Sequence, residues 1–129
     1  MHYDPAHEPL REHWTALDEA ERIALVTEYH RRASIKLPNL RAHAALHVVI
    51  ENQALMGDET HVAATLVRLM HEGLDRHDAV HAVASVLSGV LFDQIKGRGA
   101  DGINAAYFRE LAQLTAGKWL SQSDDGPHA

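Results

Sequence analysis

Two short stretches of the chain hold the residue types that could bind a metal ion. His43, His47 and Glu51 lie four residues apart in "HAALHVVIE", and His77 and His81 lie four apart in "HDAVH". Four-residue spacing stacks side chains on one face of a helix. Leu40, Ala44, Leu46, Val48, Ile50 and Ala54 surround the first set, and Val80, Ala84, Leu91 and Ile95 surround the second. At about 100° of turn per residue, both sets fall inside an apolar stripe and not on its solvent edge.

A carboxylate buried without a partner costs several kcal/mol or takes up a proton. A buried imidazole needs both ring nitrogens satisfied. One metal ion would meet all of these demands, because neutral imidazole and carboxylate are common ligands. Two helices that each supply an i, i+4 pair are a usual way for a bundle to hold a metal. His47 and Glu51 facing His77 and His81 would give three nitrogens and one oxygen. His43, one turn along, is then a fifth ligand, a ligand to a second ion, or a group that orients its neighbour.

The chain has no cysteine, which excludes a thiolate cage. It also lacks H-E-x-x-H, so the general base of the metalloproteases is missing. The H-x3-E spacing is similar to that of hemerythrin-like helices, but the other positions of such a di-iron site are not filled. Iron, manganese, zinc or nickel fits the donor set. No nucleophile or substrate pocket stands out, so no reaction follows.

Two other readings compete. One is a helical interaction module whose buried His/Glu network holds no metal and responds to pH. The other is a helix-turn-helix DNA-binding protein, suggested by the short glycine turn in "LMHEGLDRHDAVHAV". The net charge of −6 and the single arginine of that presumed reading helix disfavour nucleic acid.

The elements that must position these residues are all helices. Thr15 and Asp18 are the candidate caps of the first, which runs through "EAERIALVTEYHRRA", where Ile23, Val26 and Tyr29 give a helical rhythm. Pro38 interrupts it. A second helix is expected from near Asn39 to a stop at Gly57, and a third from Asp58 to Gly73, with Leu74 in the contact that follows a glycine stop. Asp75 caps a fourth that reaches about Lys96, and Asn104 to Leu120 makes a fifth. No stretch alternates at period two. The expectation is an all-α compact bundle of about five helices, with a helix-turn-helix-like joint at Gly73–Asp75. Residues 1–120 form its single domain, 1–16 are a partly ordered leader, and 121–129 are a disordered tail.

A content of 46% hydrophobic and 23% charged residues places the chain among globular proteins. Its start lacks the basic and apolar regions of a signal peptide, and no run reaches the roughly 18 apolar residues of a membrane span. The expectation is a cytoplasmic protein without membrane contact, free to form a homo-oligomer. Eleven histidines are many for this length, and the rest receive ordinary readings. His30 and His61 sit near helix ends and are expected at the surface, and His71 favours the end of its helix dipole. His2, His7 and His13 fall in the leader, and His128 in the tail.

From about Asp18 to Trp119 the chain resembles a widespread bacterial family of small helical proteins of unassigned activity, marked by H-x3-LH-x3-E-x-Q and RH-x3-H motifs. They stand here as "HAALHVVIENQ" and "GLDRHDAVHAV", preceded by "ERIALVTEYHRR". The resemblance implies an all-helical fold. It carries over His43, His47, Glu51, His77 and His81 as the recurring polar residues, with Gln53 in register. Some relatives have a glutamate where this chain has Ser88 or Gly89, so the resemblance implies that a carboxylate for a dinuclear site is missing here.

Overall fold

The computed structural model describes residues 2–33, 35, 39–98 and 102–123. Among them are seven α-helices and no strand: α1 (Arg11–Thr15), α2 (Glu19–Arg32), α3 (Leu40–Leu55), α4 (Val62–His71), α5 (Arg76–Ile95), α6 (Ile103–Gln113) and α7 (Ala116–Ser123). The all-α expectation holds.

The helix starts follow local chemistry. Asp18 accepts a hydrogen bond from the Glu21 N–H at 2.8 Å, and the Glu21 carboxylate accepts from the Asp18 N–H at 3.0 Å, a reciprocal cap on α2. Asn39 accepts from the Ala42 N–H to open α3, and Asp75 from the Asp78 N–H to open α5. Pro38 lies outside the described residues.

The α4–α5 joint is a Schellman turn. The Leu74 N–H reaches the Leu69 carbonyl and the Gly73 N–H reaches that of Met70, while Gly73 takes φ 114°. Leu74 is buried. The turn thereby aims α5 back across α4.

Two expected boundaries move. The helix expected from Asp58 begins at Val62, after a 3-10 turn over Gly57–Glu59 and His61 at φ 65°. The reason is Thr60. Its hydroxyl donates to the Gln53 carbonyl at 2.7 Å, satisfying the end of α3 before the next helix can start. The single helix expected over Asn104–Leu120 is two, broken at extended Leu114. Arg68 of α4 donates to the Leu111 and Leu114 carbonyls, and Glu72 accepts from the Ala116 N–H at 2.8 Å. A cation thus meets the C-terminus of α6 and an anion the N-terminus of α7, each matching the local dipole. α7 continues through Ser123, so the first residues of the expected tail are helical, and 124–129 lie outside the described residues.

α3 packs between α2 and α5, and α5 packs on α4 and α6 as well. Residues 79–84 of α5 are all buried, so this stretch of the helix is enclosed on every side, while its second half carries exposed residues such as Ser88 and Phe92. The interior has two apolar clusters. Ile50, Ala54, Leu66, Leu69, Val80, Val83, Leu87, Tyr107 and Leu111 belong to one. Tyr3, Trp14, Val26, Ala44, Val48 and Leu55 form the other. The leader is therefore part of the core, through Tyr3 and Trp14.

Candidate metal centre

Three helices bring four imidazoles together. His43 and His47 come from successive turns of α3, and His81 from the second turn of α5. Nε2 of His47 lies 3.0 Å from Nε2 of His43 and 2.8 Å from Nε2 of His81. His30, in the last turn of α2, is the fourth. The ligand atoms that His30, His43, His47 and His81 offer all lie within 4.8 Å of one another. His30, His47 and His81 are buried and His43 is half-buried.

The tautomers of two of these rings follow from their other nitrogens. Glu51 is fully enclosed, and its carboxylate accepts two hydrogen bonds from Arg76, at 2.6 and 2.9 Å. It accepts a third from the Tyr3 hydroxyl at 2.7 Å. With its proton directed at Glu51, the Tyr3 oxygen is an acceptor for Nδ1 of His47, 3.1 Å away. Nδ1 then carries the proton, and Nε2 presents a lone pair. In His30, Nδ1 lies 2.8 Å from the Val26 carbonyl, which can only accept. Its Nε2 therefore also holds a lone pair, and among the described residues it is buried without a hydrogen-bond partner.

This arrangement is hard to satisfy with protons alone. Nε2 of neutral His47 offers one in-plane lone pair but has two close nitrogen neighbours. Hydrogen bonding can serve one of them well, and the buried Nε2 of His30 gains nothing. An ion at the centre would take all four lone pairs.

Burial keeps His30, His43 and His47 neutral. Burial, reinforced by the neighbouring imidazoles of His81, His43, His30 and His77, pushes His47 well below the ordinary histidine value. Burial, then His30 and His77, lowers His43 to about 4. Burial also lowers His30, against the opposing pull of the Val26 carbonyl. Neutral imidazole is the form that binds metal. Burial, then the adjacent Glu51 charge, raises Tyr3 well above the usual phenol value, so its hydroxyl stays protonated. Burial works against the charge of Arg76, but its hydrogen bonds and charge pairing with Glu51 more than offset this, and its pKa is raised.

Of the residues singled out in the sequence, His43, His47 and His81 are brought together. Glu51 lies directly behind His47, engaged by Arg76 and Tyr3. His77 stands beside the group, its ring 4.4 Å from that of His81 and 5.7 Å from that of His47. His30 was expected at the surface and is fully buried. The signal was present: His30 follows Val26 by four residues, on the face that already carries Ile23 and Val26. Arg76 also carried a clue, since a cation in the first turn of a helix opposes the dipole and asks for another partner. Nothing local marked Tyr3. His61 is exposed as expected, stacked on Phe108 with ring centroids 4.3 Å apart.

Among the described residues no helix is long and apolar enough to cross a membrane. Comparison with family models, curated proteins and solved structures gives no match.

Proposed function

We propose that the chain is a metal-binding helical protein in which a single ion is held by the Nε2 atoms of His30, His43, His47 and His81. The observation that carries this reading is the lone pair of His47, fixed from behind by Tyr3 and shared between two other imidazole nitrogens. Zinc bonds of about 2.0–2.1 Å place tetrahedral ligand nitrogens about 3.3 Å apart. The nitrogen spacings here, from 2.8 Å up to 4.8 Å, bracket that value.

Four imidazoles suit zinc, nickel or ferrous iron better than manganese, which favours oxygen donors. Glu51 and His77, both candidates in the sequence, act here as neighbours of the ligands. Glu51 neutralises Arg76 and orients His47 through Tyr3, as a ligand's outer partner does. Four protein ligands close a tetrahedral ion, so its first effect is to tie α2, α3 and α5 together. The helix-turn-helix reading draws less support, because the arginine that would meet DNA is engaged by Glu51 and only 9% exposed.

Elemental analysis of untagged protein, purified without a nickel column, tests the reading. A transition metal at one ion per chain, lost in His47→Ala, is expected. Metal-free wild type that takes up no added zinc or nickel would leave the buried polar network in its place.

A further inference from the structure

Trp14 roots the end of the leader in the interior, whereas residues 2–10 bury only Tyr3 and Pro5. Leu10 is 65% exposed, and residues 6–8 lie on the surface. Yet it delivers one enclosed side chain, Tyr3, to a site 44 residues away in sequence. Two anchors hold it there. The Tyr3 ring packs against Trp14 and Tyr29, with centroids 6.0 and 5.9 Å away. The guanidinium of Arg76, besides holding Glu51, donates to the backbone carbonyls of Pro5 and His7 at 3.1 and 3.2 Å. One guanidinium thus ties the leader to the carboxylate that Tyr3 must reach. Residues 2–10, held by the Tyr3 side chain, buried Pro5 and two carbonyls, have fewer anchors than the helices beneath them and open at lower cost.

We propose that the leader is a strap that completes the metal site, with Tyr3 as its positioning residue. Docked, its hydroxyl bridges Glu51 and Nδ1 of His47, which keeps the Nε2 lone pair available to the ion. Lifted, it releases that tautomer, and the ion leaves faster. The inference rests on reading the four histidines as ligands. Tyr3 itself does not touch the ion, and it acts only through His47.

The test uses the full chain, Zn²⁺ as the probe, and Tyr3→Phe, which keeps the ring and removes the hydroxyl. Zinc release to excess chromogenic chelator should run about ten- to a hundredfold faster than in wild type, the usual scale for losing a ligand's outer partner. Long-range ¹H–¹⁵N NMR of the metal-free chain gives the tautomer of His47 independently. Wild type should show the Nδ1–H form and the variant a mixture. Release at the wild-type rate, or an unchanged tautomer in the variant, would overturn the strap. If wild type takes up no Zn²⁺, the four-histidine reading falls and the strap falls with it; Zn²⁺ uptake by a wild type whose metal-free His47 is in the Nε2–H form overturns the strap alone. The same wild-type measurement decides it if Tyr3→Phe fails to fold.

Discussion

On one side of α3, Ile50 and Ala54 join Leu66, Leu69, Val80, Val83 and Leu111 in a cluster without a charged member. Along the neighbouring arc of the same helix run His43, His47 and Glu51, enclosed with His30, His81, Arg76 and Tyr3. α5 repeats the contrast, with His81 near its start and Val83, Leu87 and Val90 beyond. The apolar region is held by contacts that need no particular partner atom, each fully buried aliphatic side chain contributing roughly 1.5–3 kcal/mol. The histidine region is held only as long as every lone pair and charge has its counterpart. Shared helices, then, can carry one region whose stability is unconditional and one whose stability depends on an ion, on protons and on a single arginine.

The largest expected effect lies in the charged pair. Arg76→Ala would leave Glu51 buried and unpaired, and urea unfolding should show a loss of about 3–5 kcal/mol. Replacing both partners, with Arg76→Met and Glu51→Gln, should cost less than the single change. A larger loss in the double variant would contradict the burial argument. Leu69→Ala opens a cavity in the apolar region and should cost about 2–5 kcal/mol, the same with metal or with chelator present. A cost that changes with chelator would mean that the two regions are not separable.

Metal should act on the histidine region alone. At a hundred times Kd it should stabilise wild type by about 2.7 kcal/mol, and His30→Ala or His47→Ala should abolish this gain. Equal melting curves with and without chelator would break the contrast.

Acid should do the reverse. His43, at about 4, and His47, held well below the ordinary histidine value by burial, are neutral in the fold, whereas the unfolded chain protonates near 6.5. The unfolded state therefore binds more protons, and stability is present above about pH 6.5 and declines as pH falls through 6.5 toward 4. Urea midpoints of the metal-free chain across that window should fall steadily, and a flat profile would place these rings in water. The smallest effect belongs to His77→Ala, which should weaken zinc binding about tenfold or less, since the ring stands beside the ligands. Complete loss of zinc would move His77 into the ligand set.

Much of this was legible in the sequence, for physical reasons. Helix starts rest on local caps, so Asp18, Asn39 and Asp75 announce α2, α3 and α5. His43, His47 and His81 show themselves because a polar side chain inside an apolar stripe is visible at helical spacing. His30 was legible by the same rule but masked by its place in the last turn, where a histidine also suits the dipole. The break at Leu114 and the late start of α4 depend on Arg68, Glu72 and Thr60 reaching across from other elements, which no local pattern records. Tyr3 and Arg76 belong to that second kind: their partners lie far along the chain, so only the folded structure joins them to Glu51.

The central claim, that four imidazoles and no carboxylate hold the ion, is tested most directly by X-ray absorption on the zinc-loaded chain. The account predicts a nitrogen shell at about 2.0–2.1 Å with the outer scattering of four imidazoles, unchanged in Glu51→Gln wherever that variant retains zinc. A shell with two imidazoles or fewer, or one that loses an oxygen in Glu51→Gln, would contradict it.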